Sequence, residues 1–519
     1  MKNNIRLLGA LLLMLTVSSC RQDSDTLIPY DHNDVMAFEA ATKSFAAQYK
    51  VFWNGMNQNY ALWDYEMENG LDWDAEYDKF LPRFEELDKR QDVTDDDLKA
   101  LMNEMVEPLH DGHMSVRFLN YQTKRYVGAS PANLRNAKRP DYTAPRELGD
   151  KKDKLAALSN IKSEDILDSY TSSTSLNKLF AHMWPDGSTR KWVDAEIERL
   201  SNLTTPTEME ESRLAGLKAY TEDFNLMVKN ASTNEQLVED YNKLVLKYGY
   251  LSIPGLTAID PSYINAGVSV SYALLKGNIV YMYLSEFMLS NYLVPEYLEE
   301  LKLSDQGLQQ AKEIQATWQK WFDKIQELHK AGTLGGVVID IRGNGGGMVS
   351  DYKYVLGALL PSGGFTPCQL RYKRGTARLD YSPLMPQVMP TYPDDHVTVT
   401  EPIVVLADCN SVSMAEITSR SCSLIPNAHL IGKRTWGGLC ALNDNSTFSF
   451  NYSGHIGVRD VTPVYVYTPL VATFSMDGKQ LEGIGITPEI EVDLDKTMFY
   501  NNHGDTQLER ALQFIRNGN

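Results

Sequence analysis

Residues 336–347 read GVVIDIRGNGGG, and residues 402–416 read PIVVLADCNSVSMAE. Each stretch begins with a short apolar run, which is typical of a strand buried on both faces, and ends in small or polar residues. A third apolar run, AHLIG, follows at residues 428–432, and the sequence after Ser413 has a helical pattern. Strands that alternate with helices predict an α/β fold with a largely parallel sheet, whose chemistry lies at the carboxyl ends of the strands.

The sequence on either side predicts the domain organisation. Residues 268–287 form two β-rich runs around a Lys-Gly pair, which predicts a hairpin. A long amphipathic helix is predicted after the hairpin, and it ends at Gly332. We therefore place the catalytic domain at residues 268–519. Residues 34–116 are predicted to be an aromatic-rich helical domain, and residues 117–267 a mainly helical insertion, with helices starting at Ser163 and after Thr205.

The overall amino-acid composition limits the class of protein and the kinds of partner that it can have. The chain has 519 residues, 43% of them hydrophobic, and these values describe a globular protein with a large core. The formal net charge of −18 argues against partners such as nucleic acid or an anionic membrane surface, because both bind basic patches. Four cysteines lie close together in the chain and allow one or two disulfides (Cys368, Cys409, Cys422 and Cys440).

The N-terminus predicts a targeting signal. MKNNIRLLGALLLMLTVSSC has a basic start, an apolar core and small residues before a cysteine. Its apolar run is too short to cross a bilayer as a helix. We predict a bacterial lipoprotein signal at residues 1–19, lipidation of Cys20 and a polar tether at residues 20–33, with a plain secretory signal as the alternative. The anchor would place the protein in the cell envelope, and Arg21 favours the outer membrane by resemblance to lipoprotein sorting rules.

Two loops in the predicted sheet carry candidate chemistry. The glycines of residues 343–347 follow a buried strand, so their N–H groups can converge on an anion; the alternative is a tight turn without a ligand. The GxxxxGK[ST] pattern of a phosphate loop is absent. In the second loop, Ser411 is predicted to cap the helix that begins at Met414, which leaves Ser413 free to react.

A nucleophilic serine needs a base, and the segment LHDGHMSV offers His110 and His113. Two histidines at this spacing also occur in metal sites, but no third ligand with metal spacing accompanies them. We therefore predict no metal and interpret a histidine here as a general base. Distance along the chain does not oppose this interpretation, because catalytic residues often come from distant segments.

These segments together resemble the serine peptidases that include the carboxyl-terminal processing peptidases, tricorn protease and the retinoid-binding repeats of the eye. The motifs are, in chain order, D-G-H at 111–113, D-I-R-x-N-G-G-G at 340–347, S-x-S-x-A-E at 411–416 and I-G-x-x-T-x-G at 431–437. The resemblance covers residues from about Phe38 to Val116 and from Val268 to the C-terminus. It implies a crotonase/ClpP-like peptidase core and acyl-transfer chemistry that needs no cofactor.

The resemblance also implies residue roles. The nucleophile is Ser413, three residues before Glu416. The processing peptidases take their base from a lysine in T-F-G-K, whereas this chain has Gly438 at the lysine position, and Lys433 is offset from it. The tricorn-like branch uses a histidine of the D-G-H segment instead, which here is His113.

That branch also carries a serine directly before its histidine, where this chain has Gly112. Its acidic member corresponds best to Glu482, near the closing G-x-x-P motif. The N–H groups of Gly345 or Gly346 and of Met414 are the predicted oxyanion donors.

The sequence thus predicts an envelope-anchored serine endopeptidase acting on peptides or unfolded proteins, in contact with the membrane only through its lipid anchor. The alternative is a non-catalytic peptide- or ligand-binding lipoprotein on the same fold, as the retinoid-binding repeats exemplify. A lipoprotein that handles sugars or polymers through aromatic surfaces is a third option, but core positions explain the tryptophans better.

Overall fold

The structure is a computed structural model that describes most of the chain. The described residues are 39–173, 188–230, 234–253, 256, 268–300, 303, 305–375, 377–393, 396–440, 455–457 and 462–518. The predicted signal sequence, Cys20 and the tether lie outside these residues. Among the helices of the described ranges, none has the length and apolar character needed to cross a membrane.

A seven-stranded sheet forms the centre of the molecule, with the strand order β14-β10-β9-β6-β5-β4-β3. Its strands are β3 (Ile166–Ser173), β4 (Ser269–Leu275), β5 (Ile279–Leu284), β6 (Gly336–Asp340), β9 (Ile403–Ala407), β10 (Ala428–Gly432) and β14 (Ile490–Glu491). The pairs from β5 through β6, β9 and β10 to β14 are parallel, and the two pairs at the β3 end are antiparallel. The predicted α/β fold with a parallel-rich sheet, and the predicted hairpin of β4 and β5, are confirmed.

The central strands β5, β6 and β9 are buried on both faces, as their continuous apolar runs require. Along β6 and β9, alternate residues such as Val337 and Ile403 join a large core cluster on one face. Their neighbours Val338 and Val404 join a second cluster on the other face. The first cluster is closed by the predicted long helix, Asp305–Lys330, and the second by helices Pro145–Ala156 and Thr506–Asn517.

The remaining strands form two smaller antiparallel sheets, ordered β11-β12-β1-β2 and β13-β7-β8. These strands are β1 (Ser115–Asn120), β2 (Arg125–Ala129), β7 (Phe365–Tyr372), β8 (Met385–Met389), β11 (His455–Ile456), β12 (Val464–Tyr467) and β13 (Val471–Phe474). Strand β1 follows the D-G-H segment and pairs with β12, so this sheet joins the N-terminal region to the C-terminal part of the chain.

Helices make up most of the N-terminal and accessory regions. The other α-helices are Phe45–Asn59, Trp63–Glu68, Trp73–Lys89, Asp95–Val106, Pro131–Asn136, Ser188–Ser201, Glu208–Asn230, Asn234–Tyr248, Ser290–Leu293, Pro295–Glu300, Met414–Cys422 and Lys496–Tyr500. The first four pack with β1, β2 and β12 around the buried aromatic side chains of Phe45, Tyr49 and Phe52. The three helices between residues 188 and 248 have a core cluster of their own.

One expectation for the accessory region is wrong, and one possibility for the cysteines is not realised. Ser163 opens only a single 3-10 turn, which leads directly into β3, because the run from Ile166 to Ser173 pairs with β4 at the edge of the central sheet. The accessory region therefore contributes a strand to the same sheet as the predicted catalytic domain. The sequence allowed one or two disulfides among the four cysteines, but all four are free and buried.

Candidate active site

Ser413 occupies the turn between β9 and the helix Met414–Cys422. Its φ of +58° places a non-glycine residue in a backbone region that favours glycine. The conformation is held on both sides: Ser413 N–H donates to the Gly438 carbonyl over 3.0 Å, and its own carbonyl accepts from Glu416 N–H over 2.9 Å. Strained backbone of this kind persists where the surroundings fix it, and it is frequent at functional sites.

Ser411 has a different role from the one we expected. Ser413, and not Ser411, occupies the N-cap position of the helix. The Ser411 hydroxyl is fully buried, donates to the Ile341 carbonyl over 2.8 Å and accepts from Asp408 N–H over 3.0 Å. It thus ties together the chain segments that leave β6 and β9, and it is not available as a nucleophile.

The glycine-rich loop after β6 lies directly against Ser413. A Cβ atom added to Gly346 would stand 2.5 Å from Ser413 Cβ and 3.1 Å from Met414 N. Close approach of the two backbones therefore requires glycine at this position. The Gly346 N–H already donates to Asn344 Oδ1 over 2.8 Å. Of the two predicted glycine donors, Gly345 is therefore the one whose N–H has no acceptor among the described residues.

Buried polar groups hold this loop in place. The Asn344 side chain also donates to the Leu284 carbonyl, and the Asn344 carbonyl accepts from Val412 N–H over 2.9 Å. The Arg342 guanidinium is fully buried and pairs with Asp340 and Asp505. A buried guanidinium needs such partners, because an unpaired charge in the interior is costly. The D-I-R-x-N part of the motif therefore supports the loop and does not itself face the nucleophile.

His113 lies against the loop that follows β10. An added Cβ at Gly438 would stand 3.4 Å from His113 Cε1, so the imidazole is adjacent to the position where the processing peptidases carry lysine. The same Gly438 accepts the Ser413 N–H through its carbonyl. His113 and Ser413 thus both contact Gly438, although 300 residues separate them in the sequence (413 against 113).

No hydrogen bond between the Ser413 hydroxyl and His113 is present in the described part of the chain. Contacts of this type often close only when substrate binds. His113 Nδ1 is buried and has no hydrogen-bond acceptor or donor among the described residues. Burial lowers the pKa of His113 to about 4, so the imidazole is neutral at pH 7 and can accept a proton.

Gly112 occupies the position where the tricorn-like branch carries a serine, and the structure leaves no space for a side chain there. A Cβ at Gly112 would overlap the Gly437 carbonyl group, 2.7 Å from its carbon atom. The Gly112 carbonyl accepts a hydrogen bond from Trp436 Nε1 over 3.1 Å. The D-G-H segment therefore packs backbone to backbone against residues 436–438, and a serine side chain has no room there.

Glu482 joins the base segment to the loop after β10. Its Oε1 accepts from Gly112 N–H over 2.6 Å, and its Oε2 accepts from the N–H groups of Leu439 and Cys440 over 2.7 Å each. The carboxylate is fully buried and binds backbone rather than the imidazole. Glu482 is therefore placed to position the segment that carries His113.

Asp111, which has no role in our sequence analysis beyond its place in the D-G-H motif, is the third member of this cluster. Its carboxylate accepts from His113 N–H, Met114 N–H and the Thr468 hydroxyl. One potential ligand atom each of Asp111, His113 and Glu482 lies within 4.8 Å of the other two. All four carboxylate oxygens already accept hydrogen bonds, so the arrangement fits a positioning network better than a cation site.

The two carboxyl groups also titrate unusually. Burial raises the pKa of Asp111 to about 7. Burial and the nearby Asp111 charge raise the pKa of Glu482 to about 8. Negative charge in this cluster favours a protonated imidazole, because an opposite charge within several ångströms stabilises the charged form.

Glu416 positions the turn that carries Ser413, as Glu482 positions the segment that carries His113. Its Oε1 accepts from the Thr435 hydroxyl over 2.6 Å and from Gly437 N–H over 2.8 Å. Its Oε2 accepts from Gly438 N–H over 2.6 Å. The start of the helix is thus bound to the loop that His113 contacts. The acidic letters of D-G-H and S-x-S-x-A-E were visible in the sequence, but nothing in the sequence showed which N–H groups they bind.

The other candidate bases are engaged elsewhere. Lys433 Nζ pairs with Glu491 over 2.5 Å and with Asp493 over 2.8 Å. Burial alone would lower the pKa of Lys433, but these two ion pairs outweigh it and the net pKa is raised, so the ammonium stays charged. His110 Nδ1 lies 2.6 Å from the buried carboxylate of Glu66.

Comparison with known proteins supports the resemblance inferred from the motifs. Residues 301–492 match the family model for peptidase family S41. Over 180 residues, or 35% of this chain, the sequence is 25% identical to the tricorn protease of Thermoplasma volcanium. The chain covers only 14% of the length of that tricorn protease.

The chain also resembles solved structures in its fold, and two of them illustrate the extent of the likeness. The photosystem II D1 C-terminal processing protease is 17% identical, covers 41% of this chain and 42% of its own, and has a TM-score of 0.26. Mature CPAF in complex with lactacystin is 10% identical, covers 92% of this chain and all of its own, and has a TM-score of 0.45. The family match and the tricorn relative confirm the predicted resemblance to serine peptidases of family S41.

Proposed function

We propose that this protein, which resembles the peptidases of family S41, is a serine endopeptidase in which Ser413 forms an acyl-enzyme and His113 is the general base. The observation that carries the proposal is that Ser413 and His113 share the neighbour Gly438. Its carbonyl accepts from Ser413 N–H, and a Cβ added to it would stand 3.4 Å from His113 Cε1. The lysine of the processing peptidases is replaced by this glycine, so the imidazole stands beside the position of the usual base.

The chemistry follows from these positions. As Ser413 Oγ attacks the peptide carbonyl carbon, His113 accepts the hydroxyl proton. The N–H groups of Gly345 and Met414 donate to the oxyanion of the tetrahedral intermediate. The C–N bond then breaks as His113 returns the proton to the leaving amine. Water attacks the acyl ester with its proton passing to His113, and Ser413 regains that proton when the acid leaves.

The cluster around His113 supports the imidazolium that forms during each step. A histidine with a pKa of about 4 is present as the free base but binds a proton weakly. Asp111 and Glu482 provide negative charge beside the ring when they are ionised, and they fix the backbone on both sides of Gly112. Glu482 is a positioning residue in this scheme because it contacts backbone and not substrate.

The substrate class and the location are also part of the proposal. A peptide or an unfolded protein segment is the substrate, because acyl transfer from an amide is the chemistry that the site supports. The signal-like N-terminus supports a lipid anchor on Cys20 in the bacterial envelope. Metabolic labelling with an alkynyl fatty acid tests the anchor: label should appear on the full chain and be absent from Cys20→Ser. Equal labelling of both proteins would contradict it.

A peptide-library experiment tests the catalytic assignment. A form that begins after Cys20 is incubated with mixed peptides, and cleavage is followed by mass spectrometry. We expect Ser413→Ala and His113→Ala to lower the rate by about 10³-fold or more, since each removes a member of one catalytic unit. Lys433→Ala is the control, and its rate should stay within about twofold, because the lysine forms a surface ion pair.

The outcomes separate the alternatives. Loss of activity in Lys433→Ala but not in His113→Ala would mean that the base is the lysine. A folded wild-type protein that cleaves no peptide, and whose Ser413 does not react with a fluorophosphonate probe, would favour a peptide-binding lipoprotein on this fold. Reaction with the probe in the wild type, and none in Ser413→Ala, would identify the activated nucleophile even for a narrow substrate range.

A further inference from the structure

The helix Pro145–Ala156 lies against the glycine loop, although its sequence falls in the predicted accessory region. A Cβ added to Gly343 would stand 2.9 Å from Leu148 Cδ1. The Lys151 side chain continues into the protein, where the residue is only 3% exposed and its ammonium pairs with the Asp408 carboxylate. A lysine buried to this degree is rare unless it is paired, so the pair needs an explanation.

Asp408 connects both loops that carry the proposed oxyanion donors. Its Oδ1 accepts from Gly343 N–H over 2.9 Å, at the start of the glycine loop. The same oxygen accepts from Asn410 N–H over 3.0 Å, in the turn that leads to Ser413. One carboxylate therefore sets the distance between the two loops, and Lys151 holds the other oxygen of that carboxylate.

The ammonium gives the carboxylate its fixed position. Burial, followed by the nearby Arg342 charge, lowers the pKa of Lys151 to about 8, so it remains mostly charged at neutral pH. Removing one partner of a buried ion pair leaves the other charge uncompensated, and the surrounding backbone then moves or admits water. Here the backbone that would move is that of the two loops.

We infer that Lys151 is a positioning residue for the oxyanion site: through Asp408 it fixes the glycine loop relative to the turn before Ser413. The inference rests on the proposed function, and it extends the site to a helix that none of the family motifs includes. Lys151 does not touch substrate in this arrangement. Its effect is on the geometry of the Gly345 and Met414 N–H groups, which matters most in the transition state.

The test compares Lys151→Met with Lys151→Arg and with Lys154→Met. Lys154 is on the same helix but is only partly buried, and its ammonium hydrogen-bonds the Asn502 side chain at the surface. We expect Lys151→Met to lower kcat about 30-fold or more with KM within about threefold, because a small misplacement of oxyanion donors costs that much. Lys151→Arg keeps the charge and should recover most of the loss, and Lys154→Met should match the wild type.

Hydrogen exchange gives a readout that does not depend on activity. Peptides covering residues 341–348 and 408–413 should exchange faster in Lys151→Met than in the wild type, and at the wild-type rate in Lys154→Met. If Lys151→Met does not fold, the double variant Lys151→Met/Asp408→Asn removes both charges and keeps an acceptor for Gly343. It should show the same faster exchange and reduced kcat.

The possible results are distinct. An active wild type, together with a Lys151→Met or double variant that keeps kcat within about threefold and exchanges normally, would overturn the inference. If the wild type cleaves nothing while exchange at the two loops still rises in the variant, the proposed function fails and the positioning of the loops by Lys151 stands. A fall in kcat matched by an equal change in KM and by faster exchange throughout the molecule would indicate general destabilisation, and would also overturn it.

Discussion

The two halves of the candidate site are built in different ways. The Ser413 half comes from loops after β6, β9 and β10, which neighbour one another in the sheet. The His113 half comes from a distant segment, and carboxylates attach it to that frame. Glu416 binds the N–H groups of Gly437 and Gly438, and Glu482 binds those of the next two residues. The loop after β10 is therefore the part that both halves share, and each half is fixed to it by one buried glutamate.

The two halves of the site are held in place by different kinds of contact. A parallel sheet sets the position of its loops through many backbone hydrogen bonds, so the Ser413 half tolerates the loss of one of them. The His113 segment is joined to the loop after β10 through the Glu482 carboxylate and one hydrogen bond from Trp436 Nε1 to the Gly112 carbonyl. The Asp111 carboxylate holds the turn that carries His113. Changes at these carboxylates should therefore reduce activity more than equivalent changes near Ser413.

Among the residues that position the two halves, the largest effect is expected for Glu482→Ala. It leaves three buried N–H groups without an acceptor, and each such group costs about 1–3 kcal/mol. The free energy of unfolding should fall by several kcal/mol, and kcat of the folded fraction by about 100-fold or more. Urea denaturation and peptide cleavage measure both.

Glu482→Gln is the matched variant for that experiment. It keeps one acceptor oxygen and the side-chain volume, so its losses should be smaller in both measurements. If Glu482→Ala unfolds at the wild-type urea concentration and keeps its kcat, then Glu482 does not join the two halves.

A second prediction concerns the contact between the two backbones. In Gly112→Ala the new methyl group overlaps the Gly437 carbonyl. The segment that carries His113 and the loop at Gly437 must therefore move apart. We expect kcat to fall about 10-fold to 100-fold and the melting temperature by several degrees, since a misplacement of about 1 Å costs that much.

Gly149→Ala is the control for this change, because an added Cβ there meets nothing within 4 Å and Gly149 lies inside a helix. It should be neutral or stabilising by up to about 1 kcal/mol. Equal effects of the two substitutions would show that close approach at Gly112 is not required.

The sequence predicted the Ser413 half better than the His113 half for a physical reason. Continuous apolar runs and the glycines after them follow from burial on both faces of a parallel sheet, and these patterns are local. The partners of Asp111 and Glu482 are backbone N–H groups, which any residue offers, so nothing in the sequence marks them. For the same reason the role of Lys151 and the true role of Ser411 became visible only in the folded chain. The sequence analysis did not predict strand β3. As an edge strand it is largely exposed and carries polar residues, and the acidic residues just before it resemble the start of a helix.

A smaller effect is expected for Glu416→Gln on the Ser413 side. The amide has an NH₂ group in place of one carboxylate oxygen. This donor then faces N–H or hydroxyl groups that donate to that oxygen in the wild type, so those hydrogen bonds are lost. We expect kcat to fall about 3-fold to 30-fold with little change in KM, because the sheet still holds Ser413 and the loop in place. Glu489→Gln changes a half-exposed carboxylate paired with His429 and is the neutral control. A loss larger than that of Glu482→Ala would reverse the comparison between the two halves.

The smallest effect, and the one that separates stability from catalysis, is the pH dependence. Asp111 and Glu482 have folded pKa values of about 7 and about 8, above their ordinary values of 3.8 and 4.5. The folded state therefore holds protons that the unfolded state lacks. Their contribution to stability is full below about pH 4 and is lost as the pH rises through about 7 to 8. The pKa of His113 is lowered from 6.5 to about 4, so its contribution is lost as the pH falls through that range.

The melting temperature should thus decline between about pH 4 and 8, most steeply above about pH 6.5, where the opposing contribution of His113 no longer changes. Glu482→Gln should flatten that decline, which thermal unfolding at several pH values measures. Activity should change in the opposite direction over the same range, because ionised Asp111 and Glu482 favour the imidazolium that His113 forms in the transition state. The lower stability at alkaline pH would then result from the same negative charge that assists the base. A kcat that falls in parallel with the melting temperature would instead mean that the carboxyl pair only holds the backbone and has no electrostatic effect on His113.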